Sequence, residues 1–240
     1  MKILFSPSEA KRSGGEVDGS RFSFGDLYAH REVVLDCYTA FVRSASEAEL
    51  AKLFGVKKLP LDAREDLRSR RSMKAIRRYS GVAYDYLDYN SLSEDAREFI
   101  DRDVIIFSNL FGPILAGDLI PEYKLLQGEK IGDFAPFAHY KKHFSTALDQ
   151  LLGGEEVLDL RAGFYEKFYT IKSPYTTMKF MKNGKVVSHY AKAYRGLVVR
   201  EMARHGVRSM EDLGDLEIEA LSIKEIRRSA LKNELIYELI

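Results

Sequence analysis

Two apolar-alternating runs between Met178 and Tyr190 flank Asn183-Gly184. That pair suits a two-residue type I′ turn, which needs positive φ at both central positions, so the segment predicts a β-hairpin. Leu197, Val198 and Met202 then form the apolar stripe of a helix predicted from Ala191 to Ala203. A hairpin feeding a helix commits the chain to a fold containing both kinds of element. Strands are expected at Ile3–Ser6, Val104–Leu110, Val157–Leu160, Leu235–Leu239 and, in the hairpin, Thr176–Met181 and Lys185–Tyr190. Helices are expected at Leu27–Phe41, Glu47–Phe54, Ala63–Tyr79, Glu94–Asp101 and Tyr140–Leu152, with Ser46 and Ser93 as N-caps. The continuous apolar run at Val104 suits a strand buried on both faces. With no repeat, low-complexity tract or long linker, residues 1–240 predict one compact α+β domain. Its mixed β-sheet is flanked by helices, with a helical section inserted before Val104.

Thirty-seven basic residues against 36 acidic ones give a net charge of +1, so an anionic partner must be recognised by a local patch. Cys37 is the sole cysteine, which excludes a disulfide framework and a thiolate metal cluster. Its apolar surroundings, Val33 to Phe41, favour a core residue over a reactive thiol. No apolar run approaches the roughly 20 residues of a membrane span, and the short apolar run after Met1-Lys2 is no signal peptide. A cytoplasmic location without membrane contact is therefore expected.

Lys192 and Arg195 fall in the first turn of the helix predicted after the hairpin. Cations there oppose the helix dipole, so they require either nearby acids or a bound phosphate or carboxylate. Strand ends supply further polar groups: Ser6 after the first strand and Ser108 near the end of the Val104 strand. If these ends converge, they define a pocket with Tyr84, Asp118, Tyr123, Lys124 and Tyr165 around Lys192 and Arg195. Such a set suits an anionic, nucleotide-like small molecule, with Lys11 or Asp118 as candidate acid or base. Equally, the same residues can form a satisfied network that organises the fold.

A second lead lies in residues 46–79. Glu47–Phe54, the connector Gly55-Val56-Lys57-Lys58-Leu59 and a following helix capped by Asp62 resemble a helix-hairpin-helix, whose connector offers amides to a DNA phosphate. On the helix predicted at Ala63–Tyr79, Arg64, Arg68, Arg71, Lys74 and Arg78 step by four, three, three and four. That spacing lines one face, which serves either as a solvated surface or as a contact for double-stranded DNA through its backbone.

Metal and nucleophile signatures are weaker. His139 and His143 are four apart, but no Glu neighbours His139 and Lys141-Lys142 repel a cation, so no metal site is expected. No Gly-rich phosphate loop of the Walker or dinucleotide kind and no nucleophile elbow is present, which leaves any cofactor open. Tyr84, Tyr86 and Tyr89 are expected to pack a helix end rather than stack on bases.

Several motifs, taken in order, resemble the YaaA family of bacterial peroxide-stress proteins. They are Ile3-Leu4-Phe5-Ser6-Pro7-Ser8, Tyr79-Ser80-Gly81-Val82-Ala83-Tyr84, Ser108-Asn109-Leu110-Phe111-Gly112 through Asp118-Leu119-Ile120 with Tyr123-Lys124 and Gly128, Leu160-Arg161-Ala162 with Tyr165 and Lys167, and Ala191-Lys192-Ala193-Tyr194-Arg195-Gly196. The resemblance implies a YaaA-like fold, DNA binding through the helix-hairpin-helix section, and protection against iron-dependent peroxide damage. The chain departs from the pattern at Glu9, Val82-Ala83, Leu115-Ala116 and Ala162, and Lys124 stands where the family has Arg. An enzyme acting on an anionic metabolite in the Ser6–Arg195 pocket is the alternative.

Overall fold

The first strand, β1 (Lys2–Phe5), is apolar and nearly sealed from solvent, and it sits in the middle of the sheet. It pairs in parallel with β3 (Val104–Ser108) on one side and β6 (Val157–Asp159) on the other. The computed structural model describes residues 1–240, side chains 188 and 189 excepted. Beyond β6 run β7 (Tyr175–Lys182), parallel to β6, and β10 (Lys232–Leu239), parallel to β7. Antiparallel strands close the two edges, β4 (Gly112–Leu115) beside β3 and β9 (Leu221–Arg228) beside β10. With β8 (Lys185–Val186) paired to β7, this sheet has eight strands among the described residues. Every residue of β3 is buried, as its unbroken apolar run requires.

Helices α1 (Tyr28–Ser44), α2 (Glu47–Phe54), α5 (Glu94–Asp103), α6 (Pro136–Leu152) and α7 (Ser188–His205) contribute to the surrounding layers. Ser46 and Glu49 form a reciprocal capping box at α2, and Ser93 caps α5. Asn183 and Gly184 have φ of 51° and 75°, the left-handed pair the hairpin demands. The second hairpin strand ends at Val186, earlier than the alternation suggests, and α7 starts at Ser188. Lys192 and Arg195 therefore lie beyond the first helical turn, so their placement has nothing to do with free N-terminal amides.

The helix expected over residues 63–79 does not form. Its residues instead make a short 3-10 turn (Leu67–Ser69), the strand β2 (Ser72–Lys74) and a single turn of helix, α3 (Ala75–Arg78). Strand β2 pairs with β5 (Leu119–Pro121) in a separate two-stranded ribbon. A continuous helix would stack five like charges at i,i+3 and i,i+4 spacing, which is repulsive. The irregular path gives each cation its own acceptor. The second helix of the helix-hairpin-helix is therefore absent, although α2 and its left-handed cap Gly55 are present.

The short helix α4 (Val82–Leu87) lies against α7, and Gly196 is what lets them approach. A Cβ on Gly196 would collide with the Ala83 carbonyl oxygen and come within 3.1 Å of the Leu87 amide nitrogen. The remaining helix, α8 (Met210–Asp215), begins with a second capping box built from Ser209 and Asp212.

Candidate functional site

The carboxyl ends of β1 and β6 open into a cleft of about 330 Å³. In open sheets with parallel strands, crevices form where chain connections leave to opposite sides of one strand, and β1 is such a strand here. One wall is the segment Phe5–Ala10, a second is Gly81–Tyr84 at the start of α4, and a third is Leu160, Ala162 and Tyr165. Lys192 and Arg195 reach it from α7.

The cleft is held open by hydrogen bonds. Ser6 Oγ accepts the Ala162 amide at 2.8 Å, tying the ends of β1 and β6 together. Tyr84 donates to the Ser6 carbonyl at 2.9 Å, fixing α4 above β1. Glu9 Oε1 accepts the Gln127 amide at 2.8 Å and the Asn109 side-chain amide at 3.3 Å. Next to β6, Arg161 grips Asp159 with two bonds of 2.8 and 2.9 Å, a buried bidentate pair. The Asp159 carboxylate is thus already committed to another guanidinium.

That commitment matters for Arg195. Its guanidinium makes no hydrogen bond or ion pair among the described residues. Burial lowers its pKa, a pull that Asp159 and Glu166 oppose from a distance. Lys192, exposed at the cleft mouth, is likewise without an ion-pair partner. Neither cation thus forms an ion pair with an acid among the described residues.

Beneath the cleft wall lies Lys11. Its Nζ donates to the carbonyls of Ser8 and Glu9, each at 3.2 Å, and stands 4.3 Å from the centroid of the Tyr123 ring. Burial is the main cause of its lowered pKa, about 8 against an ordinary 10.5. Folding thus disfavours the charged amine. This cost is full below pH 8 and is relieved as pH rises toward 10.5. In ¹³C NMR of reductively methylated protein, one lysine resonance, absent in Lys11→Arg, should titrate near 8. A midpoint near 10.4, the value of a free lysine, would refute this.

The predicted pocket is assembled in part. Ser6, Tyr84, Tyr165, Lys192 and Arg195 line the cleft together. Ser108 and Tyr123 lie behind it in a buried hydroxyl chain, Tyr79 to Tyr123 to Ser108, with steps of 2.9 Å. Lys124 lines a different, narrow cavity beside Tyr38, which donates to its carbonyl. Asp118 is outside the cleft as well. It accepts the Ser23 amide and hydroxyl at 2.9 and 2.7 Å and the Leu115 amide at 3.1 Å, organising the turn between β4 and β5. Glu9 and Gln127 belong to the site but were not among the expected residues; the departure at Glu9 was the available signal.

The cations of residues 46–79 have mostly structural partners. Arg64 donates to the carbonyls of Val42, Arg43 and Ala45 and so caps α1. Arg68 pairs with Asp36, Arg71 bonds the Glu16 carbonyl at 2.6 Å, and Lys74 pairs with Asp101 at 2.6 Å. Arg78 is fully buried among backbone carbonyls. Lys57 and Lys58 remain exposed beside Gly55, without an ion-pair partner among the described residues.

These features define a class: a single α+β domain whose parallel strands end in a cationic cleft. The chain belongs to the peroxide stress protein YaaA family, whose profile matches residues 1–227. It is 44% identical to the uncharacterized protein Cj0984 of Campylobacter jejuni across the whole of both chains. A UPF0246 protein of Corynebacterium glutamicum is 35% identical over 85% of each chain, and the UPF0246 protein SCO2297 of Streptomyces coelicolor is 29% identical over 92% of each. Among the described residues, no helix is long and apolar enough to cross a membrane.

Proposed function

We propose that this YaaA-family protein binds a phosphate-bearing, nucleotide-like small molecule in the β1–β6 cleft and serves peroxide stress through that ligand. The observation carrying this reading is the partly desolvated guanidinium of Arg195, with no acceptor among the described residues and Lys192 beside it. A desolvated cation without a partner is costly in the empty cleft, and an anion offsets that cost. Phe5, Pro7, Val82 and Leu160 supply an apolar wall against which a base can lie, and the hydroxyl of Ser6 retains its proton to donate.

Calorimetry with adenosine 5′-monophosphate, pyrophosphate and inorganic phosphate tests the reading. At least one should bind, and Arg195→Ala should weaken it about 10- to 100-fold, the worth of one charge-assisted hydrogen bond. Double-stranded DNA contact remains the competing reading because Lys57 and Lys58 stay exposed beside Gly55. Duplex binding that falls steeply with salt, is lost in Lys57→Glu/Lys58→Glu and is indifferent to Arg195→Ala would overturn the cleft in its favour.

A further inference from the structure

Three of the five histidines meet at one place away from the cleft. His139 and His143 occupy successive turns of α6, so their side chains share a face of that helix. His30, in the first turn of α1, joins them from across the contact between the two helices. The His30 and His143 rings are 4.0 Å apart at their centroids, and those of His139 and His143 are 4.5 Å apart. One ring nitrogen from each histidine lies within 4.8 Å of the others. Three imidazole nitrogens on one tetrahedral ion at about 2.1 Å would stand about 3.4 Å apart, so ring rotation brings them into place.

The hydrogen bonding of this cluster supports ligation. His139 Nε2 lies 2.9 Å from the His30 carbonyl oxygen. A carbonyl only accepts, so Nε2 carries the proton and the neutral ring keeps its lone pair on Nδ1. Metal-bound histidines are anchored in this way, by donating the non-ligating N–H to a carbonyl or carboxylate. Lys142 opposes a dication, but it is exposed and screened by water. All three histidines are half-buried, which leaves room for water to complete the coordination.

We propose that His30, His139 and His143 form a trihistidine site for a borderline divalent transition metal of the Zn²⁺, Co²⁺ or Ni²⁺ kind. An all-imidazole donor set suits these ions and disfavours Mg²⁺ and Ca²⁺, which require oxygen ligands. Helical spacing revealed His139 and His143, but His30 is 109 residues from His139 and reaches it only through packing of α1 on α6.

Tag-free, chelator-treated protein should bind one equivalent of Zn²⁺ by calorimetry and show tetrahedral ligand-field bands with Co²⁺. His30→Gln and His143→Gln should each weaken Zn²⁺ at least 10-fold, with unchanged circular dichroism in the absence of metal. His205→Gln, on the exposed end of α7, should bind as the wild type does. Excess Mg²⁺ should not compete. Absence of saturable Zn²⁺ binding, or full binding by the folded His30→Gln/His143→Gln double variant, would overturn the site. Displacement of Zn²⁺ by Mg²⁺ would do so too.

Discussion

Arg78→Met is expected to cost about 3–5 kcal/mol of folding stability in urea unfolding, whereas Arg68→Met should cost no more than about 1 kcal/mol. Arg78 is sealed from solvent, and its guanidinium donates to Arg12 at 2.6 Å, Arg71 at 3.0 Å and Ile120 at 3.3 Å, all backbone carbonyls. Methionine fills much of the same volume but removes the donor that bridges the Arg12 and Arg71 carbonyls and reaches the Ile120 carbonyl beside its β2 partner. Each unsatisfied carbonyl carries a penalty of about 1–3 kcal/mol. The two arginines are equivalent on the helical face that their spacing suggests. In the fold, Arg68 makes a surface ion pair with Asp36, and Arg78 ties the N-terminal segment, β2 and β5 together. Equal, small losses in both variants would mean that Arg78 does not have this role.

Gly196→Val should be comparably damaging, and Gly196→Ala should cost about 1–3 kcal/mol as an overpacking substitution. The atoms a Cβ would meet are backbone, the Ala83 carbonyl and the Leu87 amide, so no side chain can rotate away. Helix α4 must move as a body. Since Val82, Ala83 and Tyr84 line the cleft, the damage should reach the ligand as well. The melting temperature and the affinity for adenosine 5′-monophosphate should therefore fall together in Gly196→Ala. A variant with wild-type melting and wild-type affinity would show that the two helices have slack between them.

The fold was legible where local chemistry and tertiary context agree. Asn183-Gly184 adopts the paired left-handed conformation of its turn, and Ser46 with Glu49 forms the reciprocal cap at α2. The apolar run from Val104 could hardly be anything but a buried strand. Residues 63–79 misled because helical spacing of cations says nothing about where each finds an acceptor. Arg64 finds the end of α1, Lys74 finds Asp101, and Arg78 finds three carbonyls. Strand β9 was hidden for another reason. A register shift opposite Ile236 and Tyr237 breaks its alternation, so Ile223 and Ile226 stand three apart as they would on a helix.

The site was partly legible for a similar reason. Ser6, Tyr84, Tyr165, Lys192 and Arg195 flank the ends of β1, β6 and α7, and strand ends can be read from sequence. Asp118 and Lys124 follow the same central motif as Ser108, yet the turn after β4 carries them elsewhere. Which of several polar residues turns toward a cleft is decided by such turns, and spacing does not record their direction.

The central position of β1 also bears on how the chain is made. Ile3 leaves the ribosome before either of its partners, Val104 on one side and Leu158 on the other. At about 5–20 residues per second, the first partner follows some 5–20 s later, and the second later still. Throughout that interval the Ile-Leu-Phe run of β1 has both edges unpaired, and contacts this distant in sequence form slowly. The nascent chain therefore passes through a prolonged stage in which an apolar strand is complete and its sheet is not.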